Sequence, residues 1–260
     1  MREAANICSV PPWSSPPNVL ALACDEVHVW RVALDENPPQ VLSFLRNLAA
    51  DEQARAMRLY FERDREHFIV ARGVLRAILG SYLNRAPECL SFSYSSHGKP
   101  FLTGESNKDA IRFSVSHSGG VALYAVTRGR EVGIDLERIR FDFAVREIAE
   151  RFFSPREVAA LQALPADGQQ QAFFRYWTCK EAYIKARGEG LSLPLDQFEV
   201  SLARGNPTAV LNTPRDSSEA SRWSLQELNP APGYAAALAV EGRCGRLRSL
   251  QWLDPTEQSV

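Results

Sequence analysis

The chain of 260 residues has little of what marks a zinc, disulfide or membrane protein by composition. Its five cysteines, Cys8, Cys24, Cys89, Cys179 and Cys244, are odd in number and widely spaced. None forms a CxxC pair, so neither a zinc site nor a disulfide framework is indicated. Scattered thiols in a reducing compartment are the plain reading. The longest apolar run near the start, residues 19–24, is too short for a signal sequence or a membrane span. A cytoplasmic protein with no membrane partner is the expectation. An excess of either charge is missing too: 30 Lys and Arg against 31 Asp and Glu leave a formal charge of −1. That excludes a global preference for nucleic acid, and any bound anion must be met by local clusters of Lys and Arg. With 45% hydrophobic residues the chain can build a sizeable core, in one large domain or two small ones.

Four prolines, Pro11, Pro12, Pro16 and Pro17, make residues 1–18 an expected flexible arm. Apolar alternation over residues 27–34 predicts a first strand. Helical spacing starts in residues 41–48, a second helix is expected to be capped by Asp51, and residues 64–83 continue the pattern through Phe68, Ala71, Leu75, Ile78 and Leu79. Short strands are predicted at 90–93, 112–116 and 121–127, with a break near Gly129 before a strand at 132–136. Ser154-Pro155-Arg156-Glu157 reads as a capping box, worth about 1 kcal/mol to the helix it opens. A long helix at 169–187 should stop at Gly188, and strands at 198–202, 223–228 and 234–240 follow. The predicted class is α/β of the α+β type: an N-terminal half at 19–129, a C-terminal half at 130–254 and a tail at 255–260.

Three stretches carry residues suited to chemistry. In Gly133-Ile134-Asp135-Leu136-Glu137 a period of two puts Asp135 and Glu137 on one face, about 7 Å apart along the strand. Their repulsion costs about 2 kcal/mol at an effective dielectric near 20. Either the strand end turns into water, with Arg138 and Arg140 neutralising it, or a cation sits between the carboxylates. In residues 173–185 the helical period gathers Phe173, Trp177 and Ile184 into a buried stripe, with Glu181 at its edge and Lys185 one turn on. A solvated Glu–Lys pair would sit opposite such a stripe. A half-buried carboxylate needs a permanent partner, and three carboxylates with all-oxygen ligation suit Mg²⁺. In residues 113–120, His117 lies among Ser114, Ser116 and Ser118 before two glycines, either as a structural histidine or as a donor to phosphate. Gly98-Lys99-Pro100 reads as a turn with a lysine.

The blocks Gly133-Ile134-Asp135-Leu136-Glu137, Phe113-Ser114-Val115-Ser116-His117-Ser118 and Trp177-Thr178-Cys179-Lys180-Glu181-Ala182-Tyr183-Ile184-Lys185 resemble the signature blocks of the Sfp-type 4′-phosphopantetheinyl transferases. Gly98-Lys99-Pro100, Phe152-Phe153-Ser154 with Glu157, and residues 188–195 match in the same order, so the likeness spans about residues 25–240. Ser114 departs from the family's usual asparagine. The resemblance implies two structurally similar α/β halves about a pseudo-twofold axis, with coenzyme A between them. It implies a magnesium enzyme, with Mn²⁺ as a substitute, whose metal is held by Asp135, Glu137 and Glu181. Lys185 would meet the diphosphate of coenzyme A, and Lys99, Ser116 and His117 its 3′-phosphate end. Arg55, beside Arg58 and Arg63, is a further candidate for coenzyme A. The proton of the attacking carrier-protein serine would pass to Glu181, to Glu157 or to a water on the metal, and adenosine 3′,5′-bisphosphate would leave.

The expected partners are apo acyl or peptidyl carrier proteins, bound transiently by a monomer, with no nucleic acid. A non-catalytic coenzyme A or carrier-binding module is the alternative. A nucleic-acid binder built on the Arg-rich helix from Arg55 to Arg76 is opposed by Glu62, Asp64 and Glu66 within it. Arg138, Arg140, Arg146, Arg151 and Arg156 either form a docking face for acidic carriers or pair with Glu147, Glu150 and Glu157.

Overall fold

Strand β1 (Glu26–Ala33) is buried on both faces, which its sequence requires. His28, Trp30 and Val32 point one way, Val27 and Val29 the other, and each set meets a different layer. The computed structural model describes residues 10–17, 19–35, 38–104, 110–142, 144–202, 208–212 and 219–253.

β1 belongs to a four-stranded sheet in the order β11-β1-β5-β4, with β4 (Ile111–Ser118), β5 (Val121–Arg128) and β11 (Arg246–Gln251). Only the β1–β11 pairing is parallel. A second, antiparallel sheet has the order β6-β10-β9, from β6 (Val132–Arg138), β9 (Trp223–Leu228) and β10 (Tyr234–Glu241). Two small hairpins complete the strands: β2 (Phe92–Tyr94) with β3 (Pro100–Leu102), and β7 (Glu199–Ser201) with β8 (Ala209–Asn212). Among the described residues six α-helices accompany them: α1 (Pro38–Asn47), α2 (Ala50–Met57), α3 (Glu62–Leu83), α4 (Val145–Phe152), α5 (Pro155–Gln162) and α6 (Ala166–Arg187).

The layering is helix, sheet, sheet, helix. The 22-residue α3 covers the first sheet through Val70, Val74, Ile78 and Leu79 against Trp30, Val32, Tyr124 and Val126. The 22-residue α6 covers the second through Ala182, Tyr183 and Ala186 against Ala237, Ala239 and Leu225. Val27, Val29, Leu123 and Ala125 meet Ile134, Leu136, Ala236 and Leu238 between the sheets. Each half is therefore a long helix on a mostly antiparallel sheet, and both faces of β1 and β5 are buried for that reason, while β6 is apolar only on the face that meets the other sheet.

The approach of α6 to β6 is unusually close, and Gly133 permits it. A Cβ there would lie 2.1 Å from the Ala182 carbonyl oxygen and 2.3 Å from the Ala186 nitrogen. No side chain fits against that backbone, so the helix rests directly on the strand that carries Asp135. At the other end of α6, Gly188 takes φ 70° as the left-handed cap.

Several expectations differ from the structure. Residues 10–17 are not a free arm: Ser14 bridges to Leu250, and the Trp13 indole donates to the Asn229 carbonyl. Residues 1–9 and the expected tail at 255–260 lie outside the described residues. Gly129 falls between β5 of the first sheet and β6 of the second, but β11, from the end of the expected C-terminal half, returns to pair with β1. Asp51 does not cap α2. Ala49 holds that position, and Glu52 reaches back to accept from the Ala49 N–H at 2.9 Å. Among the described residues no helix is long and apolar enough to cross a membrane.

Candidate functional site

β4 and β6 are edge strands of different sheets, and they lie side by side with α6 above them. A pocket of about 370 Å³ opens there, lined by Val115, Ser116 and His117 of β4, Asp135 and Glu137 of β6, and Trp177, Glu181 and Lys185 of α6. The period of two on β6 and the i, i+4, i+8 spacing on α6 bring these groups to one place.

Asp135 is 4% exposed. Its Oδ1 accepts from the Lys185 ammonium at 2.5 Å and from the Ser116 hydroxyl at 3.0 Å. Its Oδ2 is buried with no hydrogen-bond partner. Burial, and then the negative charge of Asp135, push the pKa values of Glu137 and Glu181 above the usual carboxylate range. His117 is exposed at the pocket mouth, yet its pKa falls below the ordinary imidazole value, through desolvation first and then Lys185, His67 and Arg55.

Asp135, Glu137 and Glu181, expected to share a cation, thus line one pocket. Among the described residues, however, no three acidic, His or Cys side chains already stand close enough to hold a metal ion. The ammonium of Lys185 meets Asp135 instead. The donor set nevertheless suits a hard cation: it is all oxygen, it is electrostatically strained, and one buried oxygen lacks a partner.

Other expected residues are placed elsewhere. Glu157 does not line the pocket. It is 3% exposed, its Oε2 accepts from the Ser154 N–H and from Lys180 at 2.8 Å, and its Oε1 accepts from the Val200 N–H. A carboxylate so occupied is a poor base for a substrate, and the catalytic candidacy of Glu157 is corrected accordingly. Lys99 also lies outside the lining, with its ammonium on Glu131, the Val132 carbonyl and the Ala186 carbonyl, where it ties the β3 hairpin to the end of α6. Arg55 lies over the Phe68 ring at 5.3 Å, near enough to His117 to lower its basicity. Arg72 and Arg76, part of the Arg-rich helix, are buried on Glu52 and unavailable to a phosphate backbone. Arg146 pairs with Glu150, and Arg156 with Glu199 rather than Glu157.

Two features went unread in the sequence. Lys180 is fully buried, donating to the Leu195 and Phe198 carbonyls as well as to Glu157, and it fixes α6 just before Glu181. Ser114 and Ser118 bond to β6. Their spacing of two around Ser116 was the available signal.

Residues 131–239 match the model of the 4′-phosphopantetheinyl transferase superfamily, and residues 35–128 match that of the 4′-phosphopantetheinyl transferase N-terminal region. The chain is 43% identical over 230 residues to the 4′-phosphopantetheinyl transferase HetI of Nostoc sp., covering 88% of this chain and 94% of that protein. It is 30% identical over 167 residues to the 4′-phosphopantetheinyl transferase Sfp of Bacillus subtilis, covering 64% and 72% of the two chains. A crystal structure of Helicobacter pylori holo-[acyl-carrier-protein] synthase in complex with coenzyme A overlaps 43% of this chain and 99% of that one, at 22% identity and a TM-score of 0.35.

Proposed function

Because the chain belongs to the Sfp-type 4′-phosphopantetheinyl transferases, we propose that the pocket between β4, β6 and α6 is where it acts, with coenzyme A as donor and Mg²⁺ as its metal. The protein is an enzyme that transfers phosphopantetheine to carrier proteins. The observation that carries the reading of the pocket is the unpartnered Oδ2 of Asp135, buried beside two carboxylates of raised pKa and one lysine.

Asp135, Glu137 and Glu181 would hold the metal. When bound, Mg²⁺ (or Mn²⁺ in its place) supplies positive charge to the diphosphate of coenzyme A and relieves the repulsion among the three carboxylates. Lys185 stands beside Asp135 and would contact the diphosphate. His117 would donate to the phosphates of coenzyme A from the β4 side, and Ser116 could join it only by withdrawing its hydroxyl proton from Asp135. Arg55 supplies positive charge near His117, and Lys99 could reach the nucleotide only by leaving its present partners.

The carrier serine oxygen forms a bond to the β-phosphorus, while the bond from that phosphorus to the bridging oxygen breaks. That oxygen leaves on adenosine 3′,5′-bisphosphate. The serine proton passes to Glu181, which lines the pocket, whereas Glu157 lies outside it with both carboxylate oxygens engaged. The enzyme works as a monomer in the cytoplasm, meeting acyl or peptidyl carriers transiently.

Intact-mass spectrometry of an apo carrier incubated with coenzyme A tests this directly. One added phosphopantetheine per carrier with Mg²⁺, and none after chelation, is the expected result. Equal transfer in chelator would remove the metal from the account.

A further inference from the structure

β4 and β6 face each other across the seam between the sheets without pairing their backbones. The N–H groups of Ile134, Leu136 and Arg138 point from the β6 edge toward β4, and a buried edge needs partners for them. Each finds a serine hydroxyl twenty positions earlier: Ser114 at 3.1 Å, Ser116 at 3.2 Å and Ser118 at 3.1 Å. A hydroxyl that accepts from a backbone N–H has its own proton left to give. Ser116 gives it to Asp135 Oδ1 at 3.0 Å, and Ser118 to Glu137 Oε2 at 2.9 Å. In each case the carboxylate belongs to the residue just before the N–H donor. On the first rung that residue is Gly133, which has no side chain for Ser114 to hold.

We propose that Ser118 is a positioning residue: anchored by the Arg138 N–H, its hydroxyl holds the Glu137 carboxylate in the orientation needed for metal binding. The proposal rests on Glu137 being a metal ligand, as above. Partners that orient a ligating carboxylate typically contribute 10–100-fold to metal affinity or activity. Ser114 supplies an internal control, because it makes the same seam contact and holds no carboxylate.

Mn²⁺ binding to the protein alone, followed by electron paramagnetic resonance, reads the effect without turnover. Ser118→Ala should weaken Mn²⁺ at least tenfold and raise the half-saturating Mg²⁺ in the transfer assay, while kcat at saturating Mg²⁺ is retained. Ser118→Thr keeps the hydroxyl and should restore both. Ser114→Ala should lower the melting temperature yet leave Mn²⁺ affinity within twofold. If wild type binds Mn²⁺ and Ser118→Ala binds it equally, the positioning role is wrong while the metal reading stands. Equal weakening by Ser114→Ala would assign the effect to the seam and overturn the role too. Wild-type protein with neither Mn²⁺ binding nor Mg²⁺ dependence would overturn the metal reading and this inference together.

Discussion

His28 is wholly buried between the first sheet and α3, where its Nδ1 shares a 2.6 Å hydrogen bond with the Tyr82 hydroxyl. The Trp30 indole donates to the same hydroxyl, and His28 Nε2 has no hydrogen-bond partner. Desolvation outweighs the nearby Glu26 and lowers the His28 pKa from 6.5 to about 4. The unfolded chain takes up this proton near pH 6.5 and the folded chain only near 4. The contribution is therefore complete above pH 6.5 and is lost as pH falls through that window. The loss is on the order of 3 kcal/mol, measured as wild type against His28→Gln in urea titrations at pH 7 and 4. A ring that titrates near 6.5 by NMR in the folded protein would contradict it. None of this was legible in the chain, where His28 sits unremarked in an alternating strand and its partner Tyr82 is 54 positions away. Asp135, Glu137, Glu181 and Lys185 were legible, because each pair lies on a single element whose period places it.

Elements met the same limit. The capping box of α5 was read from Ser154 and Glu157, and it forms. A cap alone predicts a loss of about 1 kcal/mol or less for Glu157→Gln. Lys180, contributed by α6, changes that expectation. The glutamine variant leaves a buried ammonium facing only carbonyls and an N–H, and breaking such a pair costs about 3–5 kcal/mol. Urea unfolding should show a loss of that size, with turnover per folded molecule unchanged because Glu157 is outside the pocket. A loss below 1 kcal/mol would mean that the pair adds nothing beyond the cap. Strand β11 escaped reading for a related reason: alternation in a short C-terminal stretch does not say which sheet it joins. The serine ladder escaped because hydroxyl side chains, rather than strand propensity, bridge β4 and β6.

At the scale of the whole molecule, the net charge of −1 gives no long-range pull toward an acidic carrier, so attraction must be local. Arg138 and Arg140 are exposed just beyond the β6 carboxylates, and Arg146 and Arg156 are exposed as well, paired with Glu150 and Glu199. Raising ionic strength should therefore increase KM for the carrier more than KM for coenzyme A. Arg138→Glu with Arg140→Glu should mimic that effect, and equal salt sensitivity of both constants would place the docking face elsewhere. The central claim is that α6 and the two sheet edges meet to form the transfer site, and Asp135 touches all three through Lys185, Ser116 and its own strand. The decisive measurement is the rate of carrier modification by Asp135→Ala at saturating Mg²⁺, with circular dichroism to verify the fold. A folded protein slowed by a thousandfold or more is the predicted result, on the order of 4 kcal/mol in the barrier; a folded protein within tenfold of wild type would contradict the account.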